Sequence, residues 1–128
     1  MSPEEQAALT AQEKAEFIAS CQSLTYEQVA RDPDTYQYAF AHFKGKVSQV
    51  IEGSGFNVYM INVTPDAYGY YEDAVYVQYE APVGASRILE DDVVDMYGIM
   101  AGLQTYTTVL GAEKTIPAML ASYIDLAQ

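Results

Sequence analysis

Hydrophobic and polar positions change rhythm partway along this chain. Ser2-Pro3-Glu4-Glu5 has the marks of a helix start: a hydroxyl cap, proline at the first helical position, and acids facing the positive helix end. The helix is expected to run through Ala-, Gln- and Glu-rich sequence to about Ser20. Its apolar positions, Leu9, Ala11, Ala15, Phe17 and Ile18, make a poor stripe, so it should dock loosely. Thr25-Tyr26-Glu27-Gln28 repeats the start signal as a capping box, and Tyr26, Val29 and Ala30 form one side of a short helix. Asp32-Pro33 ends it, because a residue before proline is pushed out of the helical region.

From Tyr38 the period becomes two. Phe43, Gly45 and Val47 alternate with His42, Lys44 and Lys46, and the phase then breaks near Ser48-Gln49, as a β-bulge would make it. Glu52-Gly53-Ser54-Gly55 reads as a tight hairpin, followed by a second strand from Phe56 to Val63. Thr64 to Asp73 reads as a loop. A third strand follows from Ala74 to Glu80, with Val75, Val77 and Tyr79 on one side and Tyr76 and Gln78 on the other. Ala81-Pro82-Val83-Gly84 breaks it, and a connector through the acidic turn Glu90-Asp91-Asp92 leads to a fourth strand ending near Leu103. In the last strand Ile116, Ala118, Leu120, Ile124 and Leu126 are expected inward, with Met119, Tyr123 and Asp125 outward. Five strands with the longest connector between the third and fourth predict a mainly β protein, a five-stranded OB-fold Greek-key barrel with an N-terminal helical extension. Residues 1–35 form the extension and 36–128 the barrel; an SH3-like barrel or a small open sandwich is the alternative.

Composition narrows the function. At 128 residues there is room for one core. Twelve Tyr and no Trp suit strands. The formal charge is −12, and both the helical and the barrel segments are negative. A nucleic-acid binder draws most of its affinity from Lys and Arg on phosphates, so this balance disfavours nucleic acid. No apolar run is long enough to span a bilayer. Met1-Ser2-Pro3 carries no basic or apolar leader, which fits a cytoplasmic protein or one whose leader is absent from this sequence.

No catalytic constellation emerges. Cys21 stands alone, so no intrachain disulfide or multi-cysteine metal site is expected. His42 is the only histidine and reads as a residue of the barrel rim rather than part of a triad. Neither Glu90-Asp91-Asp92 nor Asp66 with Glu72 and Asp73 has the spacing of a calcium loop. The expectation is therefore no enzyme, no metal and no cofactor. The aromatic residues offer the one candidate site. Tyr59 and Tyr76 on the second and third strands, with Phe56 and Lys46, are expected to share the outer face on which OB barrels bind ligands. Tyr68, Tyr70, Tyr71 and Tyr106 are expected in rim loops, where they would suit contact with another protein.

The runs FIASCQSLTYEQVARDPDTY, FKGKVSQVIEG and ILEDDVVDMYGIMAGLQTYTTVLGAEKTIPAM resemble the OB-fold domains of Gram-positive lipoproteins and membrane-anchored proteins, such as the soluble domain of the clostridial toxin-gene regulator. The likeness extends over residues 17–126. It implies an extracytoplasmic module tethered to a membrane, with no catalytic residues to transfer. Single-stranded DNA binding, raised for that family, would rest here on Lys44, Lys46, Arg87 and Lys114. The expected function is a non-catalytic binding module facing a protein, peptide or glycan. The alternatives are a single-stranded nucleic-acid binder and a spacer or oligomerisation domain.

Overall fold

The computed structural model describes residues 2–81, 86–108 and 110–127; the expected break at Pro82–Gly84 lies outside them. The chain opens with helix α1 (Pro3–Ser20), where the Ser2 hydroxyl accepts from the Glu5 N–H at 3.2 Å. No residue of α1 is buried. The helix is held at its C-terminal half, where Phe17 lies 5.3 Å from the Phe40 ring and 5.7 Å from that of Tyr123. One turn earlier, Lys14 Nζ reaches Asp125 Oδ1 at 2.7 Å. A short strand β1 (Gln22–Ser23) leads to α2 (Tyr26–Arg31), whose capping box is complete: Gln28 N–H donates to Thr25 Oγ1 at 3.2 Å and Thr25 N–H to Gln28 Oε1 at 2.9 Å.

Asp32 ends α2 as expected, but a single helical turn, α3 (Pro33–Tyr36), follows at once. The proline that stops one helix starts the next, since a first-turn residue needs no N–H partner.

The barrel strands are β2 (Phe40–Glu52), β3 (Asn57–Pro65), β4 (Tyr71–Tyr79), β5 (Val93–Thr107) and β6 (Glu113–Leu126). Their order is β1-β2-β3-β4-β6-β5, and a β2–β5 pairing closes the ring. All barrel pairings are antiparallel except β4–β6. This is the expected mainly β, OB-type barrel with an N-terminal helical extension. The phase break in β2 is a register shift between Val47 and Gln49, which lets the first half of the strand pair with β5 and the second half with β3. Strand crowding inside the ring dictates two glycines. A Cβ on Gly45 would stand 2.4 Å from the Asn62 carbonyl oxygen, and one on Gly98 2.3 Å from that of Leu120.

The core gathers Phe43, Val47, Ile61, Val75, Val77, Val94, Met96 and Met119 inside the ring. Val29 of α2 and Leu24 close one end; Ile88, in the connector before β5, closes the other. That connector is pinned where Asp91 N–H donates to Val47 O at 2.8 Å and Val47 N–H to Asp92 O at 2.9 Å.

The expected parity of the last strand was inverted over its first half. Met119 is fully buried and Leu120 is 48% exposed, so Ile116, Ala118 and Leu120 face outward. A register shift between Tyr97 and Gly98 flips the phase, which returns Ile124 to the core and leaves Leu126 half exposed. Apolar residues on both faces of β6 hid the inner face from a parity argument. Strands β4 and β5 also outrun their expected lengths, so Tyr71 and Tyr106 are strand residues rather than loop residues.

Candidate binding face

The sheet register defines rows across the outer surface of β2, β3, β4 and β6. Lys46 stands beside Asn62, which stands beside Ala74; Met60 stands beside Tyr76, which stands beside Ala118; Val58 stands beside Gln78, which stands beside Leu120. Strand β3 is apolar on both sides. Its inward residues Tyr59 and Ile61 join the main core, while Val58 and Met60 on its outer side are also buried. With Ile116 they make a second, smaller cluster on the outside of the barrel, against which Ala74, Tyr76 and Tyr106 pack. Ser48 ties the edge of this face by donating from Oγ to the Met60 carbonyl at 3.0 Å.

Of the four residues expected to share this face, the register places two on it: Tyr76, half-buried on β4, and Lys46, half-buried on β2. Phe56 is 45% exposed at the hairpin before β3. Tyr59 is the correction. It is 2% exposed and points into the ring, 6.5 Å from Tyr79, with its hydroxyl accepting from Asn57 Nδ2 at 3.1 Å. Residues paired across two strands share a face, so Tyr59 goes inward with its partner Val77, whereas Tyr76 goes outward with its partner Met60. The residues that sequence reasoning missed are Val58, Met60, Ile116 and Tyr106. One signal for them existed: from Phe56 to Val63 both parities are largely apolar, the mark of a strand covered on both sides.

At the end of the face near α2, a hollow is lined by Tyr26, Asp73, Ala74, Tyr106, Lys114 and Ile116. Partial burial, and then the nearby Asp73, raise the Tyr26 phenol above its ordinary pKa, so at neutral pH it is an uncharged hydrogen-bonding group. At the opposite end, Arg87 bonds Glu52 through two nitrogens, and the pair rims a hollow with Val50, Ile88 and Leu89. Tyr68 and Tyr70, 86% and 71% exposed, stand on the β3–β4 turn, which Asp66 organises by accepting from both their N–H groups at 2.8 and 2.9 Å.

His42 lies elsewhere, on the β2–β5 side. Its ring stacks on Tyr97 at 4.6 Å and its Nε2 lies 2.9 Å from Asp95 Oδ1. Cys21 is partly buried, which raises its thiol pKa and keeps it a weak nucleophile. Among the described residues no group of three His, Cys, Asp or Glu is placed to hold a metal ion.

Topology and face together define a small barrel of the OB type, a fold compatible with a binding module. Among solved structures, the chain is similar to one from Leishmania major Friedlin provisionally identified as an aspartyl-tRNA synthetase, with a TM-score of 0.61 at 11% identity. The match covers 96% of this chain and 26% of that one, so the domain spans about a quarter of its neighbour's length. No protein-family model and no curated protein matches the chain significantly.

Proposed function

We propose that this domain is a non-catalytic binding module that takes an extended, aromatic-bearing protein segment along the outer face of β3 and β4. The observation that supports it is the apolar floor of Val58, Met60 and Ile116, roofed by half-exposed Tyr76 and Tyr106, with Phe56 exposed at the hairpin that leads into β3. Tyrosine offers large contact area and a hydroxyl at low entropic cost, which suits a peptide. The net charge of −12 argues for a neutral or basic segment and against a polyphosphate chain. The likeness to a provisionally identified tRNA synthetase is a likeness of fold, and of the cations on or beside this face Lys46 and Lys114 are joined by an Arg87 that is already paired with Glu52. An extracytoplasmic, membrane-tethered setting belongs to the same proposal. It is supported by the resemblance to lipoprotein OB domains, and surface proteolysis of intact native cells would test it.

Backbone-amide NMR tests the ligand class directly. Titration with short peptides combining Arg, Lys and aromatic residues is expected to shift Phe56, Tyr76, Tyr106 and Lys114. A mixed-sequence single-stranded oligonucleotide is expected to leave the spectrum unchanged even at low salt. Oligonucleotide shifts at Lys46 and Tyr76 that added salt abolishes would make this a nucleic-acid module. Shifts at the same face with cell-wall oligosaccharides, and none with peptides, would make the ligand a glycan.

A further inference from the structure

From Met96 to Ala112 the chain carries no Asp, Glu, Lys or Arg, the longest such stretch in a protein of net charge −12. This stretch is most of β5 and its turn into β6. As far as Ile99, β5 is flanked by β2 on one side and β6 on the other. At Met100 the flanking chain is still present: Tyr38 N–H donates to Met100 O at 2.8 Å and Met100 N–H to Ala39 O at 2.9 Å. From Leu103 to Thr107, among the described residues, only β6 pairs with the strand.

The register shows which backbone groups face the unpaired side. Pro117 stands opposite Leu103 and has no N–H, so the two cannot exchange the hydrogen bonds of a narrow pair. In an antiparallel ladder the pair type repeats every second residue, so Leu103, Thr105 and Thr107 all turn their N–H and C=O away from β6. The Thr105 and Thr115 hydroxyls, 2.7 Å apart, fit the closer spacing of the non-hydrogen-bonded pair. The Gln104 side chain also donates from Nε2 to Thr105 O at 3.2 Å, the arrangement of a carbonyl pointing outward and covered by its own neighbour.

We propose that this edge of β5 pairs antiparallel with the same edge of a second copy, joining two barrels about a two-fold axis at Thr105. The centred register sets Leu103 of one copy opposite Thr107 of the other and makes about six new backbone hydrogen bonds. Leu103, 45% exposed, gains a neighbour on the extended sheet. Natural edges are usually blocked by charge, proline or a bulge that turns them away; here a bulge between Met100 and Leu103 precedes the edge, and Leu103–Thr107 itself carries no charge or proline, its Thr105 carbonyl covered by the Gln104 amide. A second copy is the favoured occupant because two strongly acidic molecules approach with least repulsion where each is locally uncharged, and an isologous pairing needs the same patch on both.

The association therefore strengthens with salt. Raising ionic strength from about 0.1 M to about 1 M shortens the screening length from about 10 Å to about 3 Å, relieving the repulsion between acidic barrels while leaving the neutral contact intact. Analytical ultracentrifugation from micromolar to millimolar concentration is expected to show the mass rising from 14.1 kDa towards twice that value, at lower concentration in high salt. Thr105→Pro deletes the edge N–H at the axis, and Thr105→Lys sets like charges across it; both are expected to abolish the dimer. Circular dichroism of the dilute variants checks that they fold, and Thr105→Lys, a surface change, carries the test if the proline variant does not. A monomeric mass throughout, or a dimer that persists in a folded variant, would overturn the proposal.

Discussion

Tyr59 and Tyr76 stand on neighbouring strands and differ in what they touch. Tyr59 fills the ring and bonds Asn57, whereas Tyr76 roofs the outer cluster and keeps part of its ring in solvent. Tyr59→Ala is expected to destabilise by about 3–5 kcal/mol through the cavity it leaves, measured by urea unfolding. Tyr59→Phe should cost about 1 kcal/mol for the lost hydrogen bond. Tyr76→Ala should cost less stability than Tyr59→Ala yet weaken peptide binding by about 1–2 kcal/mol, as truncation of a well-placed interface tyrosine does. If Tyr59→Phe, still folded, lost binding as strongly as Tyr76→Ala, the assignment of Tyr59 to the core alone would fail. Gly98→Ala probes a tighter constraint, since the new methyl meets backbone rather than a movable side chain. It is expected to cost about 2–4 kcal/mol in the same assay, as overpacking against fixed atoms does.

At the scale of elements, the small helices and the connector serve the barrel as plugs. Helix α2 is too short to persist alone; its reciprocal cap and the burial of Val29 hold it over the barrel end. Removing the cap with Thr25→Ala is expected to lower stability by about 1 kcal/mol. The loss should appear as faster amide exchange across α2 before any change in β3 or β4. Helix α1 contrasts with it, since Phe17 and Lys14 provide its described side-chain attachments to the barrel. The long β5–β6 hairpin reaches past the ring at the end capped by α2, carrying Tyr106 over the outer cluster and leaving a strand edge with no pairing among the described residues.

For the whole molecule, alkaline pH is the revealing variable. Burial, with Asp125 adding to it, raises the Tyr79 phenol, and burial with Asp95 raises that of Tyr97. Below about pH 10 these groups are protonated in folded and unfolded chains alike, and they impose no pH dependence. Above it the unfolded chain releases their protons first, so folding stability falls with rising pH until the folded phenols also ionise. Thermal unfolding followed between neutral and strongly alkaline pH should show the melting temperature dropping once pH passes 10. Spectrophotometric titration of tyrosinate should show a late-ionising group that Tyr79→Phe removes. A flat melting temperature across that range would contradict the coupling of these phenols to the fold.

Local chemistry was enough to place the capped helices, the bulge at Ser48-Gln49, the hairpin at Gly53-Ser54-Gly55 and the succession of five barrel strands, because each rests on residues close in sequence. The inner parity of β2 and β4 was legible too, since polar residues on the outward positions of those strands marked the phase. Where both parities are apolar, as in β3 and β6, the alternation carries no sign, and the barrel's closure alone decided that Tyr59 and Met119 go inside while Met60 and Ile116 go outside. The outer cluster and the free edge of β5 likewise exist only once distant strands are in register. Chain-local preference chooses an element; which of its faces is buried depends on the neighbours that folding brings to it.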